Sequence, residues 1–149
     1  MGRLTLPKRG DIYVDAQVPI YTADVHPIYT PVLRPLWEAV ALGVAQVVSS
    51  ELTLLETLVA PLRSGNTLMQ SQREALWQQA NTRLLPITQD ILREAARLRA
   101  VISGLKTPDA IHAATALIHG CTLFVTNDRG FARVPGLPLA MLDDILAAP

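Results

Sequence analysis

The sequence predicts an α/β domain, with helices on both faces of a mostly parallel sheet of four or five strands. Short apolar runs with strand character alternate with longer stretches of helical periodicity, an order typical of parallel sheets. Half of the 149 residues are hydrophobic and only 5% are aromatic, so we expect a core of aliphatic side chains. The length suits one domain spanning residues 1–149, with residues 1–10 as a flexible N-terminal extension.

The strongest strand signals are three short apolar runs, at residues Asp11–Val14, 46–49 and 122–125. Each run holds β-branched or aromatic side chains, which favour strands. Residues 84–87 and 139–142 are weaker candidates for a fourth and a fifth strand. Because consecutive parallel strands need long crossover connections, we expect helices between them.

Helical periodicity predicts five helices, and some have clear start or stop signals. Thr30 is a good N-cap for a helix that has Pro31 at its first position and ends before Gly43. In "KTPDAIHAATAL", Thr107 is the predicted N-cap of the last helix. The predicted ranges are 31–42, 52–62, 71–83, 90–102 and a helix from 107, and residues 63–67 are predicted to be a loop.

Composition limits the classes of protein that the chain can represent. Thirteen basic and thirteen acidic residues cancel, so the net charge offers no argument for nucleic-acid binding. The single Cys121 excludes an internal disulfide and a cysteine-rich zinc site, and it is predicted to be a buried structural thiol. The sequence has no apolar run typical of a membrane span or a signal peptide, so we expect a cytoplasmic protein.

Four acidic residues are predicted to gather at one edge of the sheet. Asp15 directly follows the first strand, and Asp128 follows the strand at 122–125. Glu56 and Asp109 lie in helices that start from the same edge. Because parallel sheets bind ligands beyond the carboxyl ends of their strands, we expect the four carboxylates to share one cleft.

Gathered carboxylates need a neutralising partner. At about 5 Å and an effective dielectric constant near 20, two unit charges repel by roughly 3 kcal/mol. Protons, nearby basic side chains or a metal ion can offset that repulsion. An all-oxygen site favours Mg²⁺ or Mn²⁺, which can activate a water molecule to attack a phosphodiester.

Each acid taken alone also has a purely structural interpretation. Asp15 can cap the following helix, and Asp128 can close a turn. Asp109 in the first turn of its helix complements the helix dipole, and Glu56 completes a capping box with Thr53. Capping does not explain why all four acids are expected along one edge, so we prefer the shared site.

Four segments of the chain, taken together, resemble a known family. The segments "YVDAQVPIY", "SSELTLLETL", "KTPDAIHAATAL" and "FVTNDRGF" resemble, in this order, the motifs of PIN-domain ribonucleases, especially the VapC-like toxins of bacterial toxin–antitoxin pairs. The similarity extends from residue 11 to residue 142. It implies a three-layer fold around a parallel sheet, Mg²⁺- or Mn²⁺-dependent cleavage of RNA, a homodimer and inhibition by a small cognate antitoxin.

The resemblance also implies roles for individual residues. The four acids that match the catalytic and metal-binding acids of the family are Asp15, Glu56, Asp109 and Asp128. Asn127 matches a polar residue commonly found before the last acid. Gln17 stands where the family often has Asn or Ser, so we expect altered positioning of the metal. Arg129 is a candidate phosphate contact, with an exposed, solvated side chain as the alternative.

The predicted function is therefore a metal-dependent endoribonuclease that acts as the toxin of a toxin–antitoxin pair. The alternative is a catalytically weakened PIN-fold module that binds nucleic acid or protein, which Gln17 and the neutral net charge favour. A nuclease that acts on DNA or structured RNA is a further alternative. His112 lies three residues after Asp109, and a hydrogen-bonded packing role is preferred for it over substrate contact.

Overall fold

Five strands form one sheet in the computed structural model, which describes residues 1–149. Their order across the sheet is β3-β2-β1-β4-β5, and every neighbouring pair is parallel. The strands are β1 Asp11–Val14, β2 Gln46–Ser50, β3 Thr82–Leu85, β4 Leu123–Thr126 and β5 Leu139–Met141. The predicted parallel sheet is confirmed, with both weaker strand candidates present as β3 and β5.

Seven α-helices pack on the two faces of this sheet. They are α1 Gln17–Ala23, α2 Tyr29–Ala41, α3 Leu52–Ser64, α4 Thr67–Ala75, α5 Gln89–Val101, α6 Thr107–Ile118 and α7 Leu142–Ala147. Short 3₁₀ helices span Leu76–Gln78 and Arg129–Arg133. None of the helices has both the length and the apolar character that a membrane crossing requires.

The core is divided by the sheet into two apolar layers. Tyr13 and Phe124 point to the layer that α5 and α6 cover, and they stack with ring centroids 4.9 Å apart. Val14 and Val125 point to the opposite layer, beneath α1, α2 and α7. This alternation of neighbouring residues is the period-two pattern of strands that are buried on both faces, and it confirms the predicted three-layer arrangement.

The segment before β1 contains no helix or strand but contacts the rest of the domain. Leu4 is buried in the layer beneath α2 and α7. The backbone N–H of Gly2 donates to the carbonyl of Ile145, with 3.0 Å between nitrogen and oxygen. Residues 2–4 therefore lie against the last helix.

The predicted helix at 71–83 is wrong in both of its bounds. The side chain of Asn66 accepts a hydrogen bond from the N–H of Met69, so α4 begins at Thr67, within the predicted loop. Asn81 has a left-handed backbone with φ 66°, and its carbonyl accepts from the N–H of Val47. Pairing with β2 therefore starts the third strand at residue 82, two residues before its predicted start.

Two predicted N-caps are also wrong, because neither threonine hydroxyl accepts a hydrogen bond from the first N–H groups of its helix. At α2 the Nδ1 atom of His26 accepts weakly from the backbone N–H groups of Ile28 and Tyr29. Thr30 instead donates its hydroxyl to the carbonyl of Tyr21. Lys106 occupies the cap position of α6, so Thr107 is the first helical residue, and its hydroxyl accepts from Arg99.

The lone thiol is confirmed as a buried, free cysteine at the end of the loop before β4. Burial raises the pKa of Cys121 to about 11. A thiol with that pKa is almost entirely protonated at neutral pH, and the thiolate is the reactive form. Cys121 is therefore suited to packing and poorly suited to nucleophilic chemistry.

Candidate acidic site at the carboxyl edge of the sheet

The candidate site lies where two central strands end side by side. Val14 in β1 pairs with Val125 in β4, so the residues that follow these two strands emerge at the same edge. Asp15 comes immediately after β1, and Asp128 comes two residues after β4. This topology brings the first and last of the four predicted acids to neighbouring positions, as expected from their placement in the sequence.

Asp15 is a buried carboxylate that the protein holds through both of its oxygens. Only 4% of the residue is exposed to solvent. Its Oδ2 accepts a hydrogen bond from the Thr126 hydroxyl at 2.5 Å, and its Oδ1 accepts from the backbone N–H of Gln17 at 3.1 Å. The second contact shows that Asp15 also supports the entry into α1, so its structural and proposed functional roles coexist.

Thr126 connects the first and last acids. While its hydroxyl donates to Asp15, the same oxygen accepts from the backbone N–H of Asp128 at 3.0 Å. Asp128 in turn accepts from the N–H of Gly130 through Oδ1, at 2.8 Å. The predicted turn-closing role of Asp128 is therefore confirmed, and its other carboxylate oxygen has no hydrogen bond within the chain.

Asp109 lies in the first turn of α6 and is electrostatically coupled to two other acids. Partial burial raises the pKa of Asp109, the charge of Asp128 raises it further, and Glu56 makes the smallest contribution. His112 and Lys106 lower the pKa of Asp109. Asp109 therefore lies within electrostatic range of Asp128 and Glu56.

Glu56 reaches the site from α3 and is held by a buried histidine. Its Oε1 lies 2.5 Å from Nε2 of His112, which is only 2% exposed. The Nδ1 atom of His112 lies 2.6 Å from the hydroxyl of Tyr13, and that hydroxyl accepts from the N–H of Ser50. Since the Tyr13 hydroxyl receives one hydrogen bond, it can donate its own proton to Nδ1, leaving Nε2–H to donate to Glu56.

Burial destabilises the ionised form of Asp15. Burial raises the pKa of Asp15 from its ordinary value of 3.8 to about 6, and the charge of Asp128 adds to the rise. The hydrogen bond from Thr126, the nearby His112 and the N–H of Gln17 partly offset the effect of burial. A site in which burial and a neighbouring acid raise the pKa of a carboxyl group is a candidate for function.

The chemistry of these donors fits a hydrated divalent ion. Asp15, Asp109 and Asp128 offer only carboxylate oxygens, which Mg²⁺ and Mn²⁺ prefer. No three Asp, Glu, His or Cys side chains converge into a ready-made ligand cluster. Because Mg²⁺ usually binds through one or two carboxylates and keeps several waters, a loosely gathered set of acids is compatible with such an ion.

Gln17, Asn127 and Arg129, which were predicted to support the site, make different contacts. Gln17 spans the two strand ends, since its Oε1 accepts from the backbone N–H of Asn127 at 3.2 Å. The side chain of Asn127 accepts from the N–H of Asp143 at the start of α7. Arg129 is exposed and pairs with Asp144 at 2.7 Å, which matches its solvated alternative more closely than a free phosphate contact.

Sequence reasoning missed Thr126 and Tyr13 as parts of this site. Both are strand residues in apolar runs, where a hydroxyl looks like an ordinary strand-forming residue. One available signal was the position of Thr126, which ends its strand two residues before Asp128. Tyr13 offered no such signal, because its partner His112 is 99 residues away in sequence.

Comparison with known proteins identifies relatives of this fold. The family model of the PIN domain matches residues 12–137. A solved structure of VapBC-5 from Mycobacterium tuberculosis, a member of the VapBC family of toxin–antitoxin systems, is 25% identical with a TM-score of 0.58. The match covers 89% of this chain and 98% of that chain. No curated protein sequence matches the chain.

Two further solved structures share the fold at lower identity. VapC20 from Mycobacterium tuberculosis, described as a sarcin–ricin loop cleaving toxin, is 17% identical with a TM-score of 0.69, over 84% of this chain and 95% of that one. VapBC2 from Rickettsia felis, solved with a DNA fragment from its promoter, is 18% identical with a TM-score of 0.66, over 87% and 98%. At these identities the likeness concerns the fold.

Replacing Asp15 by Asn is expected to stabilise the metal-free protein at neutral pH. Because the folded-state pKa of about 6 exceeds the ordinary 3.8, folding favours the protonated acid, and the stability of the wild type falls as pH rises between these values. Asp15→Asn removes this loss, so it should gain up to about 3 kcal/mol at pH 7 and little at pH 4. Urea unfolding in chelator across this pH range measures the effect.

The exposed Asp90 on α5 provides a control for the loss of one negative charge. Asp90→Asn should leave the pH dependence of the wild type unchanged. An Asp15→Asn variant that shows the full wild-type slope between pH 4 and pH 6 would contradict the raised pKa.

Removing the Tyr13 hydroxyl is expected to destabilise the protein without opening a large cavity. In Tyr13→Phe the buried Nδ1 of His112 and the N–H of Ser50 both lose a partner, which costs about 1–3 kcal/mol. His112→Ala adds a cavity and should cost about 2–4 kcal/mol. Chemical unfolding of both variants tests the buried contacts, and a neutral Tyr13→Phe would contradict them.

Proposed function

Because this chain belongs to the PIN domain family, we propose that it is a nuclease that hydrolyses RNA phosphodiester bonds with the help of Mg²⁺ or Mn²⁺. Membership of a family of nucleases supports the general activity. The choice of RNA as substrate and the metal dependence are our proposals, as is the assignment of Asp15, Glu56, Asp109 and Asp128 as the acids of the site.

The observation that carries this proposal is the link between two acids at the ends of two central strands, with a third acid on α6 within electrostatic range of Asp128. The hydroxyl of Thr126 joins Asp15 to the backbone of Asp128, and the charge of Asp128 raises the pKa of both Asp15 and Asp109. A fold gains no stability from such repulsion. The arrangement is understandable if a cation neutralises the acids during function.

The residues of this chain have distinct tasks in the proposed reaction. Asp15 and Asp128 would hold the ion, with Thr126 fixing the spacing between them. Asp109, half-buried and with a raised pKa, is suited to accept the proton of the attacking water. Glu56, oriented by His112, would complete the negative edge. When bound, the metal would supply an acidic water and charge stabilisation for the leaving oxygen.

We also propose that the chain is a toxin with a protein antitoxin as its partner. The solved structures of VapBC-5 and VapBC2 belong to toxin–antitoxin systems, which supports an antitoxin as the partner of this chain. We also propose that the chain forms a homodimer and acts in the cytoplasm, where an RNA substrate would be available. A short neighbouring gene for a DNA-binding protein would support the toxin assignment.

Incubation with a mixed pool of single-stranded RNA is expected to give internal cleavage with Mn²⁺ or Mg²⁺ and none in chelator. The double variant Asp15→Asn with Asp109→Asn should lower the rate by about 10²–10⁴-fold, because it removes a ligand and the proton acceptor. Asp90→Asn on the exposed face of α5 serves as the matched control. Cleavage that persists in chelator or in the double variant would exclude this mechanism.

A second candidate is a PIN-fold module that binds nucleic acid or protein without cleaving it. Two observations favour it: no three potential ligands converge, and both oxygens of Asp15 already have partners within the chain. In such a module, the raised pKa of Asp15 would reflect burial in a degenerate site.

Calorimetric titration with Mn²⁺ separates the two candidates. The nuclease should bind the ion specifically, and Asp15→Asn should weaken that binding by at least about tenfold because it removes a charged ligand. Asp90→Asn should bind like the wild type. If the wild type shows no saturable heat and no RNA cleavage, the binding module becomes the better assignment.

A further inference from the structure

Three aromatic rings form a cluster at the corner between α1 and α2. The rings of Tyr21 and Tyr29 stack with centroids 4.5 Å apart. His26 lies against both of them, with centroid distances of 5.0 Å and 4.7 Å. Tyr21 and Tyr29 rest with one side on the apolar layer beneath α1 and α2, and all three residues stay partly exposed to solvent.

This aromatic corner adjoins the acidic edge. The hydroxyl of Tyr29 donates to the Asp143 carboxylate at 2.9 Å, and the N–H of Asp143 donates to the side chain of Asn127. Asn127 immediately precedes Asp128. On the other side, α1 starts at Gln17, whose side chain is bonded to the backbone of Asn127, and Tyr21 lies one helical turn further along α1.

Two apolar side chains in the turn beside the rings are largely exposed to solvent. Val25 is 70% exposed and Ile28 is 54% exposed. Val25 also adopts φ 49°, a left-handed conformation that β-branched residues rarely take. The turn thus presents apolar side chains next to the rings.

The corner also offers a directed hydrogen-bond donor. Because Nδ1 of His26 accepts from the backbone N–H groups of Ile28 and Tyr29, that nitrogen carries no proton. The proton of the neutral ring therefore sits on Nε2, which has no acceptor within the chain. A flat apolar ligand with a polar edge suits such a combination of aromatic surface and N–H donor.

We propose that Tyr21, His26 and Tyr29 bind one unpaired nucleobase of the RNA strand whose backbone is cleaved at the acidic edge. This inference rests on the proposed function and names the form of its substrate. Aromatic side chains bind bases by stacking, and a base is available for stacking only where the strand is unpaired. The Nε2–H of His26 would donate to an acceptor on that base. Neither contact requires the chain to have a positive net charge.

Binding measured in chelator separates this site from catalysis. The probe is a short labelled single-stranded RNA and a series of the same RNA with one base removed at successive positions. The wild type is expected to lose affinity about tenfold at one position of the series, as befits one stacked base. A fully paired duplex of the same sequence should bind more weakly than the single strand.

The variants test whether that loss belongs to the aromatic corner. Tyr29→Leu keeps apolar bulk but removes the ring, so it should bind the complete RNA about tenfold more weakly and show no further loss with the abasic RNA. Tyr29→Phe keeps the ring and should retain the abasic penalty. His26→Asn removes a second ring while keeping an acceptor for the start of α2, and thermal unfolding verifies that each variant folds.

The outcomes distinguish the base site from the proposed nuclease. If Tyr29→Leu and His26→Asn both show the full wild-type abasic penalty, or if duplex and single strand bind equally, the base site is wrong even when RNA is cleaved. The same conclusion follows if the wild type binds no RNA. If the abasic penalty of the wild type is lost in Tyr29→Leu and His26→Asn but Mn²⁺ and Mg²⁺ give no cleavage, the base site stands and the nuclease assignment fails.

Discussion

The buried charge of Asp15 is the constraint around which the rest of the edge is arranged. A carboxylate that is 4% exposed needs hydrogen bonds for the ionised form to persist, and Thr126 and the N–H of Gln17 supply them. Those two donors come from β4 and from the first turn of α1. Positioning them fixes the ends of two strands and the direction of the first helix, so the hydrogen bonds that one charge requires shape the geometry of the acidic edge.

The position of Glu56 depends on a chain of buried hydrogen bonds that starts in the sheet. Ser50, Tyr13 and His112 connect β2, β1 and α6, and they end at the Glu56 carboxylate on α3. Leaving any of these buried groups without a partner would be costly. Glu56 is thus oriented by a chain of contacts that also joins four elements of the fold.

The acidic edge and the aromatic corner lie next to each other and differ in chemistry. Burial and the charge of Asp128 raise the pKa of Asp15 and of Asp109, and these carboxylates suit a cation. The corner between α1 and α2 is instead lined by three aromatic rings. Contacts through Asn127 and Asp143 join them. With a cation bound, the proposed site would pair charge for a phosphate with stacking for a base, and neither contact needs a positive net charge of the whole chain.

The alternation of strands and helices and the position of acids after strands could be predicted from the sequence, because both are local patterns. Helix starts were less predictable: the ring of His26 accepts from the first N–H groups of α2 in place of Thr30, and Lys106 stands at the cap position expected of Thr107. The order of the strands and the hydrogen-bond partners of the site residues depend on long-range contacts in the tertiary structure. Thr126 meets Asp15 across 111 residues, and a contact between positions so far apart depends on the pairing of β1 with β4, which no local signal encodes.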